Sequence, residues 1–502
     1  MLRIHPDQAH PLHLLTSTRA LEAAWLQQLP EHTLMQRAGQ ALARLAQALA
    51  PHAHTIWVAC GPGNNGGDGW EAAHHLQLQG FKPVVTWLGQ PDRCSADTLA
   101  SRQAALQAGV ICQEQPPELG PDDLCIDALL GIGLTQQADR PTPPTAHTRL
   151  SEWIERINDS TATVLAADIP SGLCADQGTS ALEAGSVRAH HTLSLLTLKP
   201  GLFTAQGRDH AGTVWLETLG VPLQATPADA LLNPPPTLRI QAYGSHKGSY
   251  GDVQVLGGEG LSQRGLGMTG AALLAGRAAL HAGAGRVLVA LLDTDQARLP
   301  IDMAQPELML RTPEALSLRN GVLVCGCGGG DAIEHWVPKA LAEAPCLLLD
   351  ADALNALARH PDWMSQLAMR QQRGWDTVLT PHPLEAARLL DTTAAAVQSD
   401  RLAAAQALAV RTGAVVVLKG SGTVIAQAGQ TPHINPTGNA RLATAGTGDV
   451  LAGLIGALWA RPGTQAFDAA REGVFVHGST ADRWPANQAF TAATLASALR
   501  RQ

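Results

Sequence analysis

Short apolar runs and amphipathic stretches alternate along most of the first half of the chain. Runs such as TIWVAC, KPVVTWLG and ATVLAADIP have the length of buried strands, whereas ADTLASRQAALQAG and TRLSEWIERIND have a helical period. Strands that alternate with helices form parallel sheets that are covered by helices on both faces. The pattern therefore predicts an α/β fold.

The same alternation returns in the second half, after a proline-rich interruption. The stretch VPLQATPADALLNPPPTLRIQ, which ends at Gln241, has no regular period and is typical of a linker. The strand-like runs GVLVCG, CLLLDAD, DTVLTPHP and AVVVLKG follow it. We therefore predict two tandem three-layer α/β/α domains, residues 1–223 and 241–502, joined by a linker over residues 224–240.

Length, charge and cysteine usage narrow the class of protein. A chain of 502 residues, 45% of them hydrophobic, is long enough for at least two cores. A net charge of -8 without a Lys/Arg-rich run disfavours nucleic acid and anionic membranes as partners. Eight scattered cysteines, an N-terminus without an apolar signal segment and the lack of a membrane-length apolar run predict a cytoplasmic protein.

Polar residues follow three predicted strands of the first domain. The run GPGNNGGDG, with Asn64, Asn65 and Asp68, comes after TIWVAC, and Asp127 and Asp168 each end a later strand. One Asp at such a place could equally cap a helix. However, ligands of open α/β sheets bind beyond the carboxyl ends of the strands, where all three groups are expected. The spacing therefore predicts a site for a nucleotide or a hard cation.

The motifs GNNGGDG, DALLGIGL, DIPSGL and KPGL resemble those of the NAD(P)HX epimerases, which have Rossmann-like domains. The resemblance implies that Asp168 is the acid or base, and that Asn65, Asp127 and Ser171 hold a potassium ion. The residues that it implies contact the hydrated nicotinamide nucleotide are Asn64, Asn65, Gly66, Gly67, Asp68, Gly131, Ile132, Gly133, Leu134, Thr135, Gln136, Gln137 and Asp168.

The run ATAGTGDVLAGLIGALWA is the most informative part of the second domain. Gly446 and Gly448 precede Asp449, which opens an apolar helix. The backbone N–H groups of such a turn bind phosphate, and an Asp there can accept a hydroxyl proton during phosphoryl transfer. The alternative is that Asp449 only caps the helix.

Three further loops of this domain carry polar groups. KGSGT, which begins at Lys419, offers a cation and N–H donors to a nucleotide, although it could also be a hairpin turn. TPHPLEAARLL contributes His382 and Glu385, and LDAD contributes Asp350 and Asp352. Carboxylates suit magnesium, whereas a helix cap at Asp352 and a solvated His382 are the simpler alternatives.

Seven motifs in order, KGSYG, AALHAGAG, QPELM, DADALN, TPHPLEAARLL, KGSGT and GTGDVLAG, are similar to those of the nucleotide-dependent NAD(P)HX dehydratases, which have the ribokinase-like fold. Two departures are GCGGG in place of GPGLG, and Leu384 in place of Gly. The resemblance implies nucleotide contacts by Lys419, Gly420, Ser421, Gly422, Thr423 and Gly448. It implies substrate contacts by Ala271, Gly328, His382 and Asp449.

Together the two resemblances imply a bifunctional repair enzyme for hydrated nicotinamide nucleotides. One domain would interconvert the R and S hydrates with K⁺. The other would dehydrate the S form with Mg²⁺ and consume ADP, the nucleotide that bacterial members use. We expect small-molecule partners alone and a homo-oligomer such as a tetramer. The alternatives are a kinase for a vitamin-like alcohol, and an N-terminal domain that binds a nucleotide without catalysis.

Overall fold

The chain folds into two compact units. The computed structural model describes residues 1–133, 144–223, 226–237, 242–293 and 301–500. One unit contains residues 1–5 and 10–230, and the other contains residues 6–9 and 231–502. The main division, between Ala230 and Leu231, falls inside the predicted linker. The domain limits given above stay predictions.

The first unit contains nine strands and six helices within its described residues. The strands are β1 (Leu2–Arg3), β2 (His10–Leu12), β3 (Ile56–Cys60), β4 (Pro83–Trp87), β5 (Ile111–Gln113), β6 (Leu124–Ala128), β7 (Thr163–Ala167), β8 (His191–Leu195) and β9 (Thr213–Glu217). The helices are α1 (Leu15–Leu26), α2 (Thr33–Leu49), α3 (Asn64–Leu78), α4 (Ala96–Gln107), α5 (Pro144–Asp159) and α6 (Gly207–His210). Short 3₁₀ helices lie at Pro91–Arg93 and Pro200–Leu202.

The sheet of this unit reverses its strand order at its centre. The order is β1-β9-β8-β7-β6-β3-β4-β5, and all neighbours are parallel except β1 and β9. From β3 the chain moves outward through β4 and β5, and then returns to β6 on the other side. Such a reversal opens a crevice beyond the carboxyl ends of β3 and β6. Buried apolar side chains cover both faces of the sheet, as a parallel sheet requires.

The glycine-rich run after β3 is mostly helical. The helix α3 begins at Asn64, with Gly63 as its N-cap, so that only residues 61–63 form the turn. A Cβ atom on Gly66 would overlap the carbonyl group of Gly61, and one on Gly67 would press on the Met35 side chain. These two glycines therefore serve close packing, an alternative that a glycine-rich run always leaves open.

The second unit has a larger sheet. Its strands are β10 (Ala230–Leu232), β11 (Asp252–Gly257), β12 (Arg286–Leu291), β13 (Met309–Arg311), β14 (Val322–Cys325), β15 (Cys346–Leu349), β16 (Asp376–Leu379), β17 (Val415–Leu418), β18 (Val424–Ala426) and β19 (His433–Ile434). Its helices are α7 (Leu261–Arg264), α8 (Thr269–His281), α9 (Val337–Glu343), α10 (Asp352–Arg359), α11 (Pro361–Gln372), α12 (Pro383–Leu390), α13 (Ala394–Ser399), α14 (Arg401–Thr412), α15 (Thr447–Trp459), α16 (Ala466–Asp482) and α17 (Ala492–Ala498). The 3₁₀ helices are Lys247–Tyr250, Pro313–Ala315, Ala332–His335 and Ala440–Leu442.

This sheet also reverses its order at the centre. The order is β13-β12-β11-β14-β15-β16-β17-β18-β19-β10, with parallel neighbours from β13 to β17 and antiparallel pairing of β18 with β17 and β19. The reversal between β11 and β14 directs the loops after β14, β15, β16 and β17 to one edge. Almost every residue of α15 is buried against the core beside these strands.

The predicted fold class is confirmed, because both units are parallel-centred α/β sheets with helices on both sides. In the parts of the chain that the structure describes, no helix has the length and apolar character needed to cross a membrane.

Candidate active sites

The crevice of the first unit holds a cavity of about 510 Å³. It lies where β3, β6 and β7 end, as the sequence predicted from the positions of the polar groups. The predicted substrate-contacting residues that line it are Asn64, Asn65, Asp68, Gly131, Ile132, Gly133 and Asp168. The predicted contacts Leu134, Thr135, Gln136 and Gln137 lie outside the described residues.

The three residues predicted to hold potassium include one closely bonded pair. Ser171 donates from its backbone N–H to Asp127 Oδ2 at 2.8 Å and from its hydroxyl to Asp127 Oδ1 at 2.6 Å. Burial raises the pKa of Asp127 to about 6, against the effect of these bonds. Both amide atoms of Asn65 are buried and have no hydrogen-bond partner among the described residues. A buried amide without a partner is costly, and Asn65 lines the cavity, where its amide can contact a bound group.

Asp168 is held by a lysine that the sequence analysis did not single out. Its backbone has φ +64°, a strained value for a non-glycine residue, directly after β7. Its Oδ1 accepts hydrogen bonds from Lys199 Nζ and, at 2.9 Å, from the backbone N–H of Leu195. Lys199 has no exposed surface and also donates to the Leu195 carbonyl at 2.6 Å. The KPGL motif contained this lysine, but nothing in the sequence indicated its partner.

Two more carboxyl groups face the same cavity. Burial raises the pKa of Asp68 well above its ordinary value, and the Asp168 and Glu22 charges add to the effect. Burial and the Asp168 charge also raise the pKa of Glu22, which α1 places in the lining. A carboxyl group with a raised pKa can hold a proton near neutral pH, so both groups are candidates for a proton donor. Glu22 was not predicted, because the spacing of α1 shows only an amphipathic helix.

In the second unit, Asp449 lies in the first turn of α15. Gly446 is the N-cap, with φ +88°, a value that favours glycine. The buried His477 has its Nε2 2.9 Å from the Thr447 carbonyl oxygen and so anchors this turn. Burial, followed by the Asp350 charge, raises the pKa of Asp449 to about 6. Its carboxylate is therefore available at neutral pH and is more basic than an ordinary one.

Lys419 links the end of β17 to two of the three carboxylates predicted near magnesium. Its ammonium lies 2.8 Å from Asp350 Oδ1 and 4.0 Å from Glu385 Oε2. A Cβ atom on Gly448 would lie 3.5 Å from Lys419 Nζ. The lysine therefore lies beside the start of α15, where the sequence predicts phosphate binding. Thr380 donates to the same Asp350 oxygen at 2.7 Å.

His382 and Glu385 form a reciprocal cap at the start of α12. The His382 N–H donates to Glu385 Oε2 at 2.7 Å, while His382 Nδ1 accepts from the N–H groups of Leu384 and Glu385. Burial, and then the Lys419 charge, lower the pKa of His382. Burial raises the pKa of Glu385 to about 7, although Lys419 opposes the rise. His382 is thus a helix cap whose Nε2 lies 3.3 Å from Glu385 Oε1.

The KGSGT segment is a hairpin loop between antiparallel β17 and β18. Gly420 and Gly422 both have positive φ values, +139° and +62°. Beneath the loop, the guanidinium group of Arg401 donates to the carbonyls of Leu418 and Lys419, each at 3.1 Å. A hairpin turn and a nucleotide-binding loop were alternatives in the sequence, yet one loop can be both. Arg401 was not predicted, because it lies in a helix distant in sequence.

Two predicted substrate contacts lie side by side. A Cβ atom on Gly328, which has φ +57°, would lie 2.8 Å from Ala271 Cβ. Asp352, by contrast, accepts a hydrogen bond from the Gly330 N–H at 2.9 Å and therefore braces the glycine loop. The structure brings Ala271, Gly328, Asp449, Lys419 and Gly448 to one edge of the sheet, and their individual roles stay predictions.

Comparisons with known proteins agree on both halves of the chain. A family model described as NAD(P)H-hydrate dehydratase matches residues 255–501, and one described as YjeF-related protein N-terminus matches residues 31–201. The bifunctional NAD(P)H-hydrate repair enzyme Nnr of Escherichia coli strain K12 is 37% identical over 486 residues, which cover 92% of this chain and 87% of that protein. The protein of the same name from Coxiella burnetii is 35% identical, with 91% of each chain covered. A Bacillus subtilis ADP/ATP-dependent NAD(P)H-hydrate dehydratase, co-crystallised with ATP and Mg²⁺, is 29% identical with a TM-score of 0.42, over 52% of this chain and 92% of that one.

Proposed function

The chain belongs to the bifunctional NAD(P)H-hydrate repair enzymes, and from this membership we propose how its two units carry out the repair. The first unit interconverts the R and S hydrates of reduced nicotinamide nucleotides. The second unit removes water from the S hydrate and consumes a nucleotide phosphate. The observation that carries the proposal is the Asp449 carboxylate at a phosphate-binding helix start, beside Lys419.

In the epimerase cavity, Asp168 acts as the base. The Lys199 ammonium donates to the Asp168 carboxylate and orients it, so that it can take a proton at the hydrated ring carbon or its hydroxyl group. The raised pKa values of Asp68 and Glu22 make either group a suitable proton donor. Inverting one centre requires proton transfer in both directions, which this set of carboxyls supplies.

The residues of the first unit fit a potassium ion. Asn65, Asp127 and Ser171 would hold it through oxygen atoms, and the buried Asn65 amide would gain the partner it lacks. A bound K⁺ would offset the charge of the buried Asp127 carboxylate. It would thereby fix the loops after β3 and β6, which form the cavity wall.

In the dehydratase site, Asp449 accepts the proton of the C6 hydroxyl as that oxygen attacks the terminal phosphorus of the nucleotide. The hydroxyl is too weak an acid to ionise beforehand, so the proton moves within the transition state. The ring nitrogen then expels the phosphate, and loss of the C5 proton from the resulting iminium ion restores the dihydronicotinamide ring. With ADP as the donor, the products are NADH or NADPH, AMP and phosphate. Phosphate is a far better leaving group than hydroxide, which explains the consumption of a nucleotide.

The groups around Asp449 stabilise the charge that develops on the phosphates. The N–H groups of the KGSGT hairpin and of the α15 start, together with Lys419, supply donors and a positive charge. Magnesium fits the oxygens of Asp350 and Glu385, which flank Lys419. When bound, Mg²⁺ would neutralise phosphate charge. We propose ADP as the donor, on the resemblance to bacterial two-domain enzymes.

All eight cysteines are free, and most of them are buried. This supports our proposal that the protein works in the reducing cytoplasm, where nicotinamide nucleotides are abundant.

The test mixes the R and S hydrates with the protein, Mg²⁺, K⁺ and either ADP or ATP. Reduced nicotinamide absorbance should return until both hydrates are consumed. Asp449→Ala should retain its fold, checked by circular dichroism, and lose about 10²–10⁴-fold in dehydration rate. A phosphorylated product that accumulates without recovery of absorbance would favour a small-molecule kinase instead.

A further inference from the structure

A thiol and two carboxylates converge beside the base of the dehydratase site. Cys327 Sγ, one oxygen of Asp350 and one oxygen of Asp449 all lie within 4.8 Å of one another. Sγ is 3.8 Å from Asp350 Oδ2. The three residues come from the loops after β14 and β15 and from the start of α15. Cys327 and Asp350 are buried, whereas Asp449 is partly accessible.

We propose that Cys327, Asp350 and Asp449 form a binding site for a thiophilic divalent cation such as Zn²⁺ or Cd²⁺, and that this cation inhibits the dehydratase by occupying Asp449. The inhibition rests on the function proposed above for Asp449. The binding itself rests only on the three ligand atoms.

The distances suit zinc after small movements. Zinc binds thiolate sulfur at about 2.3 Å and carboxylate oxygen at about 2.0–2.2 Å, so that tetrahedral ligand atoms lie roughly 3.3–3.6 Å apart. From separations of at most 4.8 Å, side-chain rotations that move the atoms by about an ångström close the site. A fourth position stays open for water or a phosphate oxygen. Magnesium prefers oxygen alone, so the sulfur favours softer cations.

The groups around Asp350 bind one of its two carboxylate oxygens and leave the other oxygen available to a cation. Lys419 and Thr380 both bond to Asp350 Oδ1, which leaves Oδ2 directed at Cys327. Lys419 opposes a second cation, but the two carboxylates and the thiolate together outweigh its single charge. The cation displaces the thiol proton: Cys327 S–H and M²⁺ give an S–M bond and H⁺.

Cys327 stands in the run GCGGG, directly before Gly328. The same chain provides a matched control, because Cys325 is fully buried two residues earlier, at the end of β14. Cys325 is outside the ligand cluster found among the described residues.

The direct test is a titration of the full-length protein with Cd²⁺, followed by the ultraviolet absorption of the thiolate–cadmium bond. Cys327→Ser should lose about one bound equivalent relative to wild type and to Cys325→Ser. Cys327→Ala repeats the comparison if the serine variant folds poorly, as judged by circular dichroism. Identical titrations of wild type and both Cys327 variants would overturn the proposed site.

The second test measures dehydration at buffered free Zn²⁺ concentrations, with each variant compared with its own metal-free rate. The concentration that halves the rate should rise at least about tenfold in Cys327→Ser and stay unchanged in Cys325→Ser. Cadmium binding at Cys327 without zinc inhibition would overturn the blocking of Asp449. A protein that binds cadmium at Cys327 but never dehydrates its substrate would instead contradict the proposed function and leave the metal site standing.

Discussion

The ionisation of Asp449 depends on side chains that are distant in the sequence. Burial and the Asp350 charge raise its pKa, and Lys419 moderates the rise. The run GTGD shows that an acidic residue opens α15, but the final basicity of that residue comes from the loops after β15 and β17. The sequence could therefore predict that an acidic residue stands at this position. The basicity of its carboxylate depends on contacts that only the fold creates.

Dehydration should weaken in mild acid. Asp449, with a pKa of about 6, and Glu385, with a pKa of about 7, both act as carboxylates. As pH falls through these values, Glu385 is protonated first and is lost as an oxygen donor. Asp449 is protonated next and can no longer act as the base. We expect kcat/KM to fall about tenfold per pH unit between pH 7 and 6 and more steeply below. A rate that stays level down to about pH 5 would contradict these roles.

Replacing Lys199 should stop the epimerase and spare the dehydratase. Lys199→Met leaves the Asp168 carboxylate without its buried counter-charge, so R-to-S conversion should fall by on the order of 10²-fold or more. Turnover of the pure S hydrate should be unchanged.

Lys82→Met, at an exposed lysine before β4, is the matched control. Removing one partner of a buried pair can also cost about 3–5 kcal/mol of stability, and thermal unfolding of both variants measures this. Normal epimerisation by folded Lys199→Met would disprove the positioning role.

At the scale of elements, the strands and most core helices could be predicted from the spacing of apolar residues alone. The runs that became β3, β6, β14 and β17 are fully buried, which is why their pattern is continuous. The Asn64–Asp68 run was harder to assign, because glycines favour turns and yet here lie in the first turn of α3. Because Gly66 and Gly67 have no side chain, the start of α3 packs closely against Gly61 and Met35. A local sequence pattern cannot show such contacts.

The start of α3 should be sensitive to a single methyl group. Gly66→Ala would force α3 away from the carbonyl group of Gly61. We expect a loss of about 1–3 kcal/mol in the free energy of unfolding of the first unit, together with weaker epimerisation, because Asn65 is adjacent.

Gly63→Ala serves as the control, since a Cβ there meets no atom within 4 Å and φ is -98°. Chemical unfolding of both variants, followed by tryptophan fluorescence, gives the comparison. Equal stabilities would contradict the packing role of Gly66.

At the scale of the whole molecule, each unit carries its own set of the reacting groups that we propose. Asp168, Lys199 and the Asn65 amide lie in the first unit, while Asp449 and Lys419 lie in the second. Tandem architecture and the order of the two activities were predictable, because each half has its own alternation of strands and helices and its own motifs.

Two inactive chains should therefore complement each other. Asp168→Asn should dehydrate only the S hydrate, and Asp449→Asn should only epimerise. An equimolar mixture of the two full-length variants should repair a mixture of R and S hydrates completely, as measured by reduced nicotinamide absorbance. If recovery stops at the fraction that was S at the start, the two activities would depend on one intact chain.

The buried guanidinium of Arg401 beneath the KGSGT hairpin has a thermodynamic consequence. Because it ties down the Leu418 and Lys419 carbonyls, the loop is ordered before any nucleotide arrives. The entropic cost of ordering the loop is then met during folding and not during nucleotide binding. Nucleotide association at this site should consequently be fast and close to rigid-body docking. Loosening the loop from below should shorten the residence time of the nucleotide even though no contacting group has changed.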